Sequence, residues 1–329
     1  MRCWSLRQRT IAAVVVGVVL LSVVIGAAAT LSAGRNPVGG QGGGGTVAVI
    51  PVSGMIVSGR GVPGLFGGSQ AGSDEITARL RQAARDPGVK AVVLRLNSPG
   101  GTAAGAQEIA AAVDRVRKAG KKVVASMGDT AASGAYWVAC RADKIVAEPG
   151  TLTGSIGVIM QTQDLQGLYH KLGIATETFK SGPYKDMGAP NRPVTPAERD
   201  IFQGMVNDIY DQFVHTVADG RKMNPDRVKQ LATGRVYTGR QALQLGLVDQ
   251  LGSFQDALDL AGRLSGLGPE PRVTDLGPRG FWQDIMGGAG SLAGLAAPAT
   301  AGRAFYPAVW LLVPAGPLPE GVLSTAGTQ

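Results

Sequence analysis

The stretch at residues 128–138, "GDTAASGAYWV", places Ser133 among small residues where an apolar run ends. A serine hydroxyl is a weak nucleophile until a neighbouring base takes its proton. The chain contains only two histidines, His170 and His215, and neither lies in a sequence setting that suggests a triad. The residues therefore give little support to Ser-His-Asp chemistry, and the base type that remains is lysine.

A lysine accepts a proton only in its neutral form, which burial or positive surroundings favour. Lys185, in "FKSGPYKDMGAPNRP", has Gly, Pro and Tyr before it and Met, Gly, Ala and Pro after it. Asp186 is adjacent, but neighbouring side chains of an extended chain point in opposite directions. These residues alone also fit a lysine in a surface loop, so the local pattern leaves both interpretations open.

The elements that would position these residues alternate between strands and helices. Strands are predicted as a pair at residues 46–57 and singly at 91–101 and 121–127, and helices at 74–85 and 104–118. A long amphipathic helix begins at the capping box of residues 195–198, and residues 235–258 form a short strand, a helix, a turn and a final helix. This order predicts an α/β fold with a largely parallel sheet.

An uncharged run at residues 11–33 is long enough to cross a bilayer as a helix. Arginines 2, 7 and 9 precede it and Arg35 stands alone after it, which predicts a cytoplasmic N-terminus and an extracytoplasmic remainder. A cleaved secretory signal is the alternative, because "AAATLSA" offers small residues to a peptidase. The length of the run favours a retained, single-pass anchor in the cell membrane.

Composition excludes some other functions. The net charge is +8, but the basic residues are scattered singly, which argues against nucleic-acid binding. Cys3 and Cys140 lie on opposite sides of the apolar run, so a disulfide between them is not expected, and neither has zinc-type neighbours. Cys140, Tyr136 and Trp137 are interpreted as packing residues.

Five motifs occur in order: "NSPGG", "GDTAASGAYW", "GTLTGSIGV", "GPYKDMGAPNRPVTPAER" and "TGRQALQLGLVD". Together they closely resemble the signal peptide peptidase A family in its short, single-domain form, over residues 46–264. The resemblance implies an α/β fold similar to the Clp protease and crotonase folds, built from repeated ββα units. It also implies a Ser-Lys dyad, in which Ser133 is the nucleophile and Lys185 is the general base.

The resemblance assigns two further residues, and the start of the helix after Ser133 gives a third. Ser155 of "TGSIG" matches the hydroxyl that holds the lysine amine, and Gly100 of "NSPGG" matches one donor of the oxyanion hole. Gly134 supplies the second N–H, because the first residues of a helix have unpaired donors. Without the family, "NSPGG" would also fit an ordinary turn, and Ser98 ranks as a distant second nucleophile.

The predicted function is that of a membrane-anchored serine endopeptidase that degrades cleaved signal peptides and other hydrophobic, membrane-associated peptides. The family implies a homo-oligomeric ring with active sites built across subunits, and it requires no cofactor or metal. Three alternatives are a Ser-Lys membrane protease that cuts stomatin-like partners, a crotonase-type enzyme acting on coenzyme A thioesters, and a catalytically silent scaffold. The predicted domains are a cytoplasmic N-terminus (1–10), the anchor (11–33), a Gly-rich linker (34–45), the protease domain (46–266) and a Gly/Ala/Pro-rich tail (267–329).

The tail contains the apolar stretch "RAFYPAVWLLVPAGPLPEGVL" at residues 303–323. Prolines 307, 314, 317 and 319 interrupt it, so a second transmembrane helix is not expected. Three interpretations are left: a loosely packed or disordered tail, a lipid contact, and a substrate mimic that enters an active site of its own assembly.

Overall fold

The computed structural model describes residues 44–61 and 70–277, together with the backbone of residues 310–312. The predicted anchor, most of the linker and most of the tail lie outside the described residues. Within them, none of the helices has both the length and the apolar character that crossing a bilayer requires.

The described strands are β1 (Thr46–Ser53), β2 (Met55–Val57), β3 (Gln70–Gly72), β4 (Val89–Ser98), β5 (Gly100–Thr102), β6 (Lys122–Ala132), β7 (Lys144–Ala147), β8 (Leu152–Gly154), β9 (Val236–Thr238), β10 (Gln250–Leu251), β11 (Val273–Asp275) and β12 (Trp310–Leu312). The described helices are α1 (Ser73–Arg85), α2 (Ala103–Lys118), α3 (Gly134–Ala139), α4 (Gln166–Lys171), α5 (Pro196–Arg221), α6 (Pro225–Leu231), α7 (Gly239–Gln244) and α8 (Phe254–Leu264).

The main sheet has the strand order β10-β7-β6-β4-β1-β11, and all of these neighbours are parallel. Strand β8 runs parallel to the end of β6, and β9 lies antiparallel to β8. A smaller sheet has the order β12-β5-β2-β3, in which only β12 is antiparallel to its neighbour. The prediction of an α/β fold with a largely parallel sheet is confirmed.

Both faces of the main sheet are covered. Strand β1 is an example: Ala48, Ile50 and Val52 belong to the apolar cluster on the face covered by α1 and α2. Val47 and Val49 belong to a second cluster that includes α8. Strands buried on both faces need continuous apolar runs rather than alternating ones, and "TVAVIPV" has that character.

Helix α5 begins at the predicted capping box. The Thr195 side chain accepts from the Glu198 N–H, and the Glu198 carboxylate accepts from the Thr195 N–H. The apolar stripe along this helix is covered only in its C-terminal half: Phe213 and Val217 are buried, whereas Met205 is 42% exposed. The N-terminal half of α5 therefore presents apolar surface that the described part of this chain does not cover.

Candidate active site

Ser133 occupies a strained turn between β6, which ends at Ala132, and α3, which begins at Gly134. Its φ of +53° lies in the region that favours glycine, which costs a residue with a side chain about 1–3 kcal/mol. Two hydrogen bonds hold the turn: the Ser133 N–H donates to the Gly154 carbonyl at 2.8 Å, and its own carbonyl accepts from the Trp137 N–H at 2.9 Å. A serine that is strained and tightly held in this way is a functional candidate.

The Ser133 hydroxyl lies in a buried environment, since the residue is only 1% exposed. Among the described residues, its Oγ is the one fully buried side-chain nitrogen or oxygen without a hydrogen-bond partner. Leaving a buried hydroxyl unpaired costs about 1–3 kcal/mol, so such groups are rare in native proteins. The hydroxyl is therefore placed for a partner that the described part of one chain does not supply.

Two glycine backbones lie beside this turn. A Cβ added to Gly134 would lie 3.3 Å from the Gly101 nitrogen and 3.6 Å from the Gly100 Cα, so α3 begins in close contact with β5. As the first residue of α3, Gly134 has an N–H without an acceptor in its own helix. Gly100 has a φ of +110°, and its N–H donates to Ser98 Oγ at 3.2 Å. The structure thus brings together the two predicted oxyanion glycines and Ser133.

Ser98 has a different environment from Ser133. It is fully buried, and its Oγ lies within hydrogen-bond distance of both the N–H and the carbonyl of Gly100. The hydroxyl therefore closes the "NSPGG" turn.

Ser155 directly follows β8 and is 4% exposed, with a φ of +49°. Its N–H donates to the Arg235 carbonyl at 2.8 Å. Because Gly154 accepts from the Ser133 N–H, Ser155 is covalently next to the residue that holds the nucleophile turn. The structure therefore brings the backbones of Ser133 and Ser155 close together.

Lys185 is not joined to Ser133 in the single chain. It is exposed, and the unpartnered Ser133 Oγ excludes a hydrogen bond between the two side chains. The segment around Lys185 forms turns, with Met187 N–H donating to Tyr184 O and Ala189 N–H to Asp186 O. The expectation of an extended chain here is wrong, because these local hydrogen bonds bend it.

A group of ionic contacts next to Lys185 was not predicted from the sequence. Arg192 donates from Nε to Asp186 at 3.1 Å, and from its two terminal nitrogens to Glu198 at 3.0 and 2.5 Å. Glu198 is 2% exposed, and its hydrogen bonds from Arg192 lower its pKa to about 2. Asp186, Arg192 and Glu198 lie six residues apart in each case, which does not match the helix period, and no strand runs through them, so no sequence pattern signalled this group.

Tyr136, Trp137 and Cys140, which follow the nucleophile, are packed in the core. Trp137 stacks on Phe213 with ring centroids 4.5 Å apart, and the Tyr136 hydroxyl donates to the Leu247 carbonyl at 2.8 Å. Cys140 is fully buried, which raises the pKa of its thiol to about 12. These side chains fix α3 and hence the position at which Ser133 enters it.

His170 and His215 are both exposed, and among the described residues no hydrogen bond joins either of them to Ser133, Ser155 or Lys185. Within residues 44–61 and 70–277, no three acidic, histidine or cysteine side chains come together as metal ligands would.

The tail contributes a strand to the edge of the site. Strand β12 pairs antiparallel with β5, with Leu312 opposite Gly100 and Trp310 opposite Thr102. A backbone segment therefore lies along the strand that carries one of the predicted oxyanion donors.

A buried serine at a strained strand-to-helix turn, beside glycine N–H groups, is the arrangement of a serine hydrolase. The family model described as peptidase family S49 matches residues 115–268. A protein named as a protease in Synechocystis sp. is 41% identical over 204 residues, covering 62% of this chain and 73% of that one. The chain therefore belongs to peptidase family S49 and is a serine peptidase.

Other relatives agree with this assignment and confirm the resemblance to signal peptide peptidase A. A protein named as a signal peptide peptidase in Enterococcus faecium is 38% identical, over 74% of this chain and 69% of that one. "Protease 4" of Salmonella typhi is 40% identical over 68% of this chain, but that match spans only 35% of the longer relative. Among solved structures, a mutant of the 1510-N membrane-bound stomatin-specific protease in complex with a substrate peptide has a TM-score of 0.46. It shares 16% identity over 74% of this chain and 96% of that one.

Proposed function

We propose that this protein is a membrane-anchored Ser-Lys endopeptidase of Clp protease/crotonase-like fold, and that it cleaves signal peptides and other hydrophobic peptides. The observation that carries the proposal is Ser133, with its strained backbone and its buried, unpartnered hydroxyl. The three relatives described above are named as proteases, which favours peptide hydrolysis over coenzyme A thioester chemistry.

The reaction begins when the neutral Lys185 amine takes the proton of the Ser133 hydroxyl and Oγ attacks the peptide carbonyl. The Gly134 N–H stabilises the negative oxygen of the tetrahedral intermediate, together with the Gly100 N–H once that group turns away from Ser98 Oγ. The lysine ammonium then gives its proton to the departing amine, which leaves an acyl-enzyme. Water, deprotonated by the same amine, then attacks the acyl carbonyl. The ester bond to Ser133 Oγ breaks, the ammonium returns its proton to Oγ, and the acid product leaves; Ser155 orients the amine throughout.

Lys185 reaches Ser133 from a neighbouring copy of the chain in this proposal. The support is that Ser133 Oγ is buried without a partner while Lys185 is exposed, so each lacks what the other provides. Burial between subunits would also favour the neutral amine. The contact is heterologous, since one surface donates the lysine and a different one holds the serine, and such contacts form a ring when the rotation between subunits closes.

The surface that carries Lys185 is apolar enough to be covered by another subunit. Phe179 is 88% exposed, and four other large apolar side chains of the same segment are about half exposed or more: Leu168, Leu172, Ile174 and Tyr184. A cleft of about 320 Å³ is lined by Met160, Val194 and Phe202 of α5. Exposed apolar patches of this kind mark interaction sites.

Substrates bind as an added strand on β5. The support is the antiparallel pairing of β12 with β5, in which a segment of the chain itself occupies this edge. Binding through backbone hydrogen bonds leaves side-chain preference to the pockets, as in other cases of strand addition. Hydrophobic peptides then arrive from the membrane to which residues 11–33 anchor the enzyme.

A fluorophosphonate probe tests the nucleophile. Wild type should be labelled, and Ser133→Ala should not, whereas Ser98→Ala should retain the label because that hydroxyl is engaged in its own turn. Labelling of Ser133→Ala at the rate of wild type would refute the assignment of the nucleophile.

A further inference from the structure

The carboxylate of Asp186 is the nearest negative charge to Lys185 along the chain, and it is held by two cations. Arg192 contacts it through Nε at 3.1 Å and through a terminal nitrogen at 3.0 Å, and Lys180 Nζ lies at 2.8 Å. The Asp186 side chain is only 14% exposed. Hydrogen bonds from Arg192 and then from Lys180 lower the pKa of Asp186 well below its ordinary value, so the group is a carboxylate at neutral pH.

Arg192 also fixes the backbone of the turn that carries Lys185. One of its terminal nitrogens donates to the Asp186 carbonyl at 3.1 Å, so the guanidinium contacts both the side chain and the main chain of that residue. It also donates to the Pro193 carbonyl at 3.2 Å and to the buried Glu198, whose carboxylate closes the capping box of α5. The turn is thus joined to the first turn of a 26-residue helix by one guanidinium.

Among the cations near Lys185, Arg192 stands out because it contacts the Asp186 carboxylate through two of its nitrogens. The ionisable groups of this turn and of the first turn of α5, apart from Lys185 and Tyr184, are Lys180, Asp186, Arg192, Glu198, Arg199 and Asp200. Three are cationic and three anionic. A nearby uncompensated carboxylate would favour the ammonium form of the lysine, which is the form that cannot act as a base.

We propose that Arg192 is a positioning residue for Lys185, which holds the Asp186 carboxylate away from the amine and offsets its charge. This inference rests on the proposed function, in which Lys185 is the general base. Arg192 touches neither the substrate nor the reacting atoms; it acts through the turn.

The test is the pH dependence of peptide hydrolysis by the full-length enzyme. In Arg192→Gln the Asp186 carboxylate keeps only Lys180 as a cationic partner, so its charge is less fully offset and the pH of half-maximal rate should rise by about one unit. Loss of the anchor to α5 should lower kcat by about 10- to 100-fold. Asp186→Asn in the same chain should return the pH midpoint to that of wild type while kcat stays reduced.

Two controls separate this role from a purely structural one. Arg192→Lys keeps the charge but loses the two-armed contact, so it should lower kcat with little change of the pH midpoint. Arg199→Gln removes an exposed arginine from the same helical turn and makes neither change, because no side-chain hydrogen bond or ion pair of Arg199 occurs among the described residues.

An Arg192→Gln variant that loses thermal stability but keeps the wild-type pH midpoint would overturn the proposal. If Arg192→Gln does not fold, Asp186→Asn alone decides: its midpoint should lie below that of wild type, because a carboxylate near the amine is removed while Arg192 stays, and an unchanged midpoint would overturn the proposal. Lys185→Ala is assayed in parallel: substantial activity there refutes the proposed function itself, whereas an inactive Lys185→Ala with an unshifted Arg192→Gln refutes only the role of Arg192.

Discussion

The backbone N–H of Ser133 donates to the carbonyl of Gly154 at 2.8 Å, immediately before Ser155. This bond continues the parallel pairing of β6 with β8, in which Ala132 is opposite Gly154. The two serines that the family resemblance selects thus leave neighbouring strands at the same level, and both have positive φ. Two adjacent strained turns hold the proposed nucleophile next to the proposed orienting hydroxyl.

Ser133→Ala and Lys185→Ala should each lower peptide hydrolysis by several orders of magnitude, because each removes one half of the proposed dyad. Members of one catalytic unit are not additive, so the double variant should be barely worse than either single one. Steady-state rates on a fluorogenic peptide measure this, with size-exclusion profiles to verify folding and assembly. Near-normal turnover by Lys185→Ala would exclude lysine as the base.

Mixing the two inactive variants tests whether the dyad is shared between chains. In a co-assembled mixture, some sites combine Ser133 from the Lys185→Ala chain with Lys185 from the Ser133→Ala chain. Random assembly should therefore restore roughly a quarter of the wild-type activity. The mixture must be unfolded and refolded together, and the separately refolded variants are the blank. A mixture as inactive as the blank would place both groups in one chain.

The rate of hydrolysis should rise with pH. A lysine base works only when neutral, so its active form accumulates as protons are removed. The profile of kcat against pH measures this on the intact enzyme, with fluorophosphonate labelling as a second readout of the nucleophile. A rate that is controlled by a group near pH 4 and then stays flat to about pH 10 would contradict a lysine base.

Glu198 should contribute stability that is lost in acid. Its pKa is lowered from 4.5 to about 2 by its contacts with Arg192, so the folded state binds its proton less readily than the unfolded state. The contribution is complete above about pH 4.5 and falls as the pH drops towards 2. Glu198→Gln should cost about 2 kcal/mol at neutral pH. Urea midpoints should converge between the variant and wild type at low pH; curves that stay parallel would show that this carboxylate has no part in acid unfolding.

Removal of the tail should raise turnover if the tail occupies the substrate edge. Strand β12 lies on β5, so its removal frees that edge for a peptide. The cut belongs after Gly277 rather than at the predicted start of the tail, because β11 pairs with β1 and is part of the main sheet. Equal rates for the shortened and full-length chains, with an intact C-terminus in the latter, would leave the tail as a loose or lipid-contacting segment.

The sequence predicts most of the local structure because local patterns determine it. The apolar runs of β1, β4 and β6, the capping box at Thr195 and the strand-to-helix turn at Ser133 all follow from nearby residues. The partners of Arg192 were not predicted, since a single arginine gives no sign of which carboxylates it will meet. The pairing of β11 with β1 was not predicted either, because it joins residues more than 220 positions apart and no local pattern reveals such a partner.

The pairing of Lys185 with Ser133 stays a prediction from the family resemblance. No pattern of one chain describes a contact that a second chain would make, and among the described residues no hydrogen bond joins the two side chains. The prediction of an extended chain around Lys185 was wrong for a local reason: hydrogen bonds such as that from the Met187 N–H to the Tyr184 carbonyl bend the segment.

Because Cys140 is buried, the rate at which its thiol reacts can report the opening of the helix that begins after the nucleophile. Its side chain is closed off between Trp137 and α5, with the Sγ 3.1 Å from the Trp137 carbonyl, and its raised pKa keeps it protonated. An alkylating reagent needs the thiolate and access to it, so the thiol reacts only while α3 is displaced from the core. The rate of alkylation at Cys140 therefore reports how often the backbone around Ser133 opens.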